Sequence, residues 1–225
     1  MKNKSLLIMR LEGALQAWGE QSKWDFRDSS DFPAKSGIVG LIGCAMGLER
    51  GSPRLAEIND SINVAIRADR PGSRTIDFQT VTGNPLLNAL GKPKSTGNTI
   101  ISQHAYLQDA CFTVFIEADE DLISEIRDAI KDPKWCIYLG RKNCIPSRPL
   151  LENPNQQYAS LEDAVRSYPP AERASHLMTF EVEQAAPSMA SYLRSDNCLS
   201  GERQFALRTV WRGVIEGEND VSVTD

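Results

Sequence analysis

The order in which apolar periodicities change along the chain limits its fold more than any other feature. Residues 5–11 are apolar at nearly every position, the pattern of a central strand covered on both faces. Behind Pro33, residues 34–48 place Ile38, Leu41, Ile42, Ala45 and Leu48 at helical spacing, and proline suits a first helical turn. Ile62, Val64 and Ile66 then alternate with polar residues, as a half-buried strand does. Residues 110–118 read as a further apolar strand. Residues 119–131 read as a helix, with Asp119 as N-cap, Leu122, Ile123, Ile126 and Ile130 inward, and Pro133 beyond its end. Residues 135–139 read as a last strand. Strand, helix, strand, strand, helix, strand is the order of the ferredoxin-like split βαβ arrangement. The expected fold class is therefore α+β, with a ferredoxin-like (RRM-like) palm.

Two segments lie outside that scheme. Between the second and third core strands, in an insertion at about 69–109, Ile76, Phe78 and Thr80 alternate and residues 100–106 can pair back on them. The intervening residues 83–98 are polar and rich in Gly, Pro, Ser and Lys, so the insertion is expected to be a projecting β-hairpin arm. From Leu150 onward the pattern is of short irregular strands, such as 177–182 and 204–214, with an acidic tail from about Glu216. The expected organisation is a ferredoxin-like unit with its hairpin arm over residues 1–149 and a small β-rich C-terminal region over 150–225.

Charge gives little encouragement to a nucleic-acid reading, because the chain carries a formal net charge of -5. The carboxylates are nevertheless concentrated in one segment (Glu117, Asp119, Glu120, Asp121, Glu125, Asp128) and the tail (Glu216, Glu218, Asp220, Asp225), and the remainder is net basic. The 5 cysteines are odd in number, widely spaced and without a CxxC pair, which argues against a disulfide framework and a zinc cluster. No apolar run is long enough for a membrane span or a signal peptide, so a cytoplasmic location and no membrane partner are expected.

Catalytic and cofactor motifs are thin. The 2 histidines, His104 and His176, lack the spacing that aims two ligands at one metal, and no Gly-rich nucleotide loop precedes a helix. No cofactor and no metal are expected. Phosphate-binding features are better represented. Lys35, Ser36 and Gly37 open the first long helix, where free N–H groups and the helix dipole favour an anion. Gly140-Arg141-Lys142-Asn143 is a tight turn with two cations, and Arg203 and Arg208 lie on opposite faces of a late strand. Gly37, Gly40, Gly43 and Gly47 strip one helix face of side chains, so either the sheet or a ligand must approach closely there. Trp18 and Trp24, set among charges, are expected to pack in the core or on a partner rather than to stack on bases.

Several stretches carry a resemblance in one consistent order. They are the opening strand with Gln16-Ala17-Trp18-Gly19, then Phe32-Pro33-Ala34-Lys35-Ser36-Gly37 leading into Gly40-Leu41-Ile42-Gly43. Tyr106-Leu107-Gln108-Asp109-Ala110-Cys111-Phe112-Thr113-Val114, Tyr138-Leu139-Gly140-Arg141-Lys142-Asn143-Cys144 and Arg203-Gln204-Phe205-Ala206 follow. Together, over roughly residues 6–214, they resemble the CasD (Cas-five-type) subunits of type I-E CRISPR surveillance complexes (Cascade), in the repeat-associated mysterious protein (RAMP) superfamily. The resemblance implies a palm, a thumb and a small C-terminal region. It implies a non-catalytic subunit for antiviral defence that binds the 5′ handle of the mature CRISPR RNA. Its partners would be that RNA, the backbone filament subunit whose end it caps and the large subunit, with target DNA met only through the complex. The matching RNA-binding positions are Lys35, Ser36, Gly37, Arg141, Lys142, Asn143, Arg203 and Arg208, with Lys92 and Lys94 in the arm tip. The alternative is a metal-independent endoribonuclease that processes precursor RNA, as related type I-C subunits do. Here it would rest on His104 and Tyr106, which share one strand face.

Overall fold

The computed structural model of the protein describes residues 4–20, 22–23, 25–88, 90–93, 99–153, 157–183, 190–197, 199 and 204–217. The first half runs β1 (Lys4–Glu12), β2 (Leu15–Gln16), β3 (Phe26–Arg27), α1 (Lys35–Met46), α2 (Pro53–Ser61), β4 (Asn63–Arg70), β5 (Ser73–Thr82) and β6 (Thr99–Gln108). The second half runs β7 (Cys111–Asp119), α3 (Glu120–Lys131), α4 (Leu161–Ser167), β8 (Leu177–Val182), β9 (Ala190–Asn197) and β10 (Phe205–Glu216).

Six strands form one antiparallel sheet in the order β1-β7-β4-β8-β10-β9. Both faces are covered at β1, β7 and β4, which explains the unbroken apolar run of β1. Successive strand residues point to opposite faces, so Leu7, Met9 and Leu11 join α1, α2 and α3 in one core layer. Ile8 joins Ala164, Val165 and Tyr168, in and beside α4, in the other. α3 buries Ile123, Ile126 and Ile130 against the sheet, the spacing its sequence prescribes.

Three expectations need correction. Residues 135–139 do not form a strand, because their backbone groups are engaged elsewhere. Lys134 N–H donates to Ala45 O of α1 at 2.8 Å, Leu139 N–H donates to Cys144 O at 2.7 Å, and Leu139 O accepts from Ala17 N–H at 3.1 Å. β1 is an outer strand rather than a central one, and its free edge is covered by residues 150–152 through Arg10 N–H to Leu150 O and Glu152 N–H to Ile8 O. The C-terminal strands continue the main sheet, since β8 pairs directly with β4. The sequence reading also passed over α2, begun by Pro53, and α4, whose first turn is capped by Ser160 Oγ accepting from Asp163 N–H at 3.1 Å.

The inserted hairpin is present with the anticipated alternation. β5 and β6 pair Ile76 with Ala105, Phe78 with Gln103 and Thr80 with Ile101. β6 is also flanked by β2 and β3, so the arm grows from a small second sheet beside the entrance to α1.

Candidate nucleic-acid interface

A groove with a cavity volume of about 980 Å³ runs along the glycine-striped face of α1. The glycines divide their work. Gly37 lies against the Trp18 ring and Gly43 against the Leu55 side chain, whereas a Cβ on Gly40 would meet nothing within 4 Å. The stripe therefore serves packing at its ends and leaves open backbone in the middle. One wall of the groove comes from residues 135–142, held along α1 by the Lys134–Ala45 bond and by Cys44 Sγ donating to Cys136 O at 3.3 Å. This tie leaves the Trp135 side chain 46% exposed. The opposite wall comes from Ser195, Asn197 and Phe205 of the β9–β10 hairpin. That hairpin is seated by Arg194, whose buried guanidinium bonds Glu181, Ser30, the carbonyls of Phe32 and Pro33, and Glu20.

The lining is unusual for a chain with net charge -5: among the described residues that form it there is no Asp or Glu. It does contain Arg50 and Lys142, both exposed and neither in an ion pair among the described residues, beside Trp135, Tyr138 and Phe205. Unpaired cations, aromatic planes and open backbone are the means by which single-stranded nucleic acid is held without a duplex to grip.

The residues expected to hold phosphate fall into three groups. Lys142 and Asn143 are exposed, Lys142 on the groove wall, and Ser36 and Gly37 line its floor. Lys92 is exposed in the arm tip, while Lys94 and Arg203, like Trp24, lie outside the described residues. Lys35, Arg141 and Arg208 are committed internally. Lys35 is 9% exposed and its ammonium bonds Ile62 O at 2.9 Å and Glu183 at 3.1 Å. Arg208 bonds Asp196 at 2.8 Å and Glu183 at 3.0 Å. Arg141 donates to the carbonyls of Ala105, Arg27 and Asp28 at 3.0, 3.0 and 2.8 Å while lying over the Tyr106 ring. Even the free N–H of Ser36 at the start of α1 has an anion, the Asp196 carboxylate at 2.9 Å. These cations were read as surface groups because their carboxylate and carbonyl partners lie far away in sequence.

His104 and Tyr106 do lie on one face of β6, but Tyr106 is 2% exposed and its hydroxyl accepts from Asn143 at 2.9 Å. Burial, then the Arg141 and Arg27 guanidinium groups, hold the His104 imidazole below its ordinary value, against the opposing pull of Asp77. The sequence reading missed Arg50 and assigned Trp135 to a strand. The one available signal was an Arg-Gly step just past a helix end.

Comparison with known proteins places this geometry in a class. The model of the family described as CRISPR-associated protein (Cas_Cas5) matches residues 6–221, and the chain belongs to that family. Within it, the chain is similar to the CRISPR system Cascade subunit CasD of Escherichia coli (strain K12), at 30% identity over 233 residues, covering 97% of this chain and 99% of that protein. Its structure resembles a chain of a CRISPR RNA-guided surveillance complex, with a TM-score of 0.74 at 27% identity and 96% and 95% of the two chains covered. It also resembles a Cas protein solved by crystallography, with a TM-score of 0.69 at 28% identity, covering 94% of this chain and 95% of that one.

Proposed function

We propose that this chain is a CRISPR RNA-binding subunit of a Cascade surveillance complex and that the groove along α1 holds the 5′ handle of the guide RNA. The observation that carries the reading is a groove with no carboxylate among its described lining residues in an acidic chain, with Arg50 and Lys142 in no ion pair among the described residues and Trp135 exposed. Phosphates would lie on the two cations and bases on the aromatic planes, while the bare Gly40 backbone admits the strand. The similarity to CasD of Escherichia coli supports the assignment to Cascade. It also supports a subunit that caps the filament and acts in antiviral defence in the cytoplasm, with no catalytic step of its own. The enclosure of Tyr106 beneath Arg141 and Asn143 supports the same view.

The domain plan follows the function. Residues 150–152 lie beside β1, giving the order (150–152)-β1-β7-β4, which supports a ferredoxin-like palm that runs a few residues past the expected boundary at 149. The β5–β6 hairpin acts as the thumb. Residues 150–225 form the region that closes the groove, built on the palm sheet rather than apart from it. Charge reversal of Arg50 and Lys142 together (Arg50→Glu, Lys142→Glu) should weaken handle RNA binding at least tenfold at physiological salt and flatten its salt dependence. Wild-type affinity in that double variant would refute the groove as the RNA seat.

A further inference from the structure

Three buried side-chain atoms have no hydrogen-bond partner among the described residues: Arg10 Nε, Glu152 Oε1 and Arg27 Nε. Arg10 and Glu152 face each other at 3.5 Å as an ion pair. Arg27 has no such answer: among the described residues its side chain makes no hydrogen bond or ion pair, and its backbone carbonyl is engaged by Arg141. The Nε itself is enclosed, but the residue is only half-buried, and a guanidinium held there without a carboxylate among the described residues favours an anion at its accessible end.

The surroundings say what that partner is. β3 pairs in parallel with β6 so that Arg27 stands beside His104, and β5 places Asp77 on the other side of His104. Across the base of the arm this gives the row Asp77–His104–Arg27. Asp77 is bonded by Gln79 at 2.8 Å, and His104 Nε2 meets Ser102 Oγ at 3.2 Å. Arg141 overhangs the next residue of that face, Tyr106, with its ring 4.8 Å away. Its donors are spent on carbonyls, so it contributes positive field without hydrogen bonds. Its neighbour Lys142 lines the α1 groove. The turn at 140–143 therefore joins the groove to the row.

We propose that Arg27, with His104 beside it, forms an anion site at the base of the arm that takes a phosphodiester of the RNA strand as it leaves the groove. Arg27 supplies the charge and the N–H donors at the accessible end of its guanidinium, a group suited to phosphate. His104 supplies a neutral N–H, since burial and the two flanking guanidinium groups disfavour its protonation. The proposal rests on the groove being the RNA seat, and its test separates the two.

The test measures binding of a labelled single-stranded RNA of the handle sequence to the full-length chain by fluorescence anisotropy across a series of salt concentrations. Arg27→Met should weaken binding about tenfold and lower the slope of log affinity against log salt by about 0.7, the loss of one phosphate contact. Arg27→Lys should restore the slope, which a variant that merely damages the fold cannot do. His104→Leu should lower affinity with the slope unchanged, because a neutral group displaces no counterion. Wild-type affinity and slope in Arg27→Met, with weakened binding in Arg50→Met/Lys142→Met, would overturn this site and leave the groove standing. Wild-type behaviour in all variants would overturn both.

Discussion

Gly40 and Gly140 are both glycines at the groove, yet they answer to opposite constraints. Gly140 adopts φ 87°, and a Cβ there would collide with the Ala17 carbonyl oxygen, so the turn depends on glycine. Gly40 faces open space in the middle of a helix. Gly40→Ala should therefore raise stability by about 1 kcal/mol in urea unfolding. Gly40→Phe should fill the groove and weaken RNA binding with the fold intact. Loss of stability in Gly40→Ala would show that something packs there after all. The glycine stripe was legible in the sequence, but its division between packing and open backbone was not, because Trp18 and Leu55 meet it only in three dimensions. His104 carries a pH prediction. Its folded pKa lies below the unfolded value of about 6.5, so the unfolded chain takes up its proton first on acidification. Stability is thus full above that unfolded value and is lost as pH falls toward the lowered folded one. His104→Gln should remove this part of the pH dependence of the urea midpoint between about pH 7 and 5. An unchanged profile would mean that the imidazole is not held neutral.

At the scale of elements, the apolar periodicity located β1, α1, β4, β7 and α3 and anticipated the pairing of the hairpin strands, though not their register. Each of these buries a face that its own spacing declares. The reading failed at residues 135–139, where an apolar run is held by bonds to α1 and to the following turn rather than by a strand ladder. A short apolar run does not reveal its backbone partners. The C-terminal strands were visible as strands, but their docking on β4 was not. That docking is reinforced by charges in the interior: Asp69 accepts from Arg67, Thr113 Oγ1 and Ala171 N–H, and Arg67 also donates to the carbonyls of Val165 and Tyr168. Asp69→Ala would strand the Arg67 guanidinium, which is 1% exposed, and should cost about 3–5 kcal/mol in urea unfolding. A loss under about 1 kcal/mol would show that the network relaxes or hydrates.

For the whole molecule, the charge distribution is the lesson. A net charge of -5 argues against a free-standing RNA binder, and Lys35, Arg141 and Arg208, three of the cations chosen from the sequence, are tied to carboxylates or carbonyls. The folded chain sorts its charges so that one groove has no acid among its described lining residues, a pattern with no linear signature because those residues come from five separate stretches. Such a surface suits a subunit whose RNA is shared with neighbours, each gripping a short length. The most direct test is to express the tagged chain with its operon partners and a CRISPR array, irradiate the purified complex, and map the RNA–protein cross-links. The account predicts a guide RNA with a defined 5′ handle, cross-linked to this chain at Trp135, Tyr138 or Phe205. A complex whose handle cross-links to this chain only outside the groove, or a chain recovered without RNA, would contradict it.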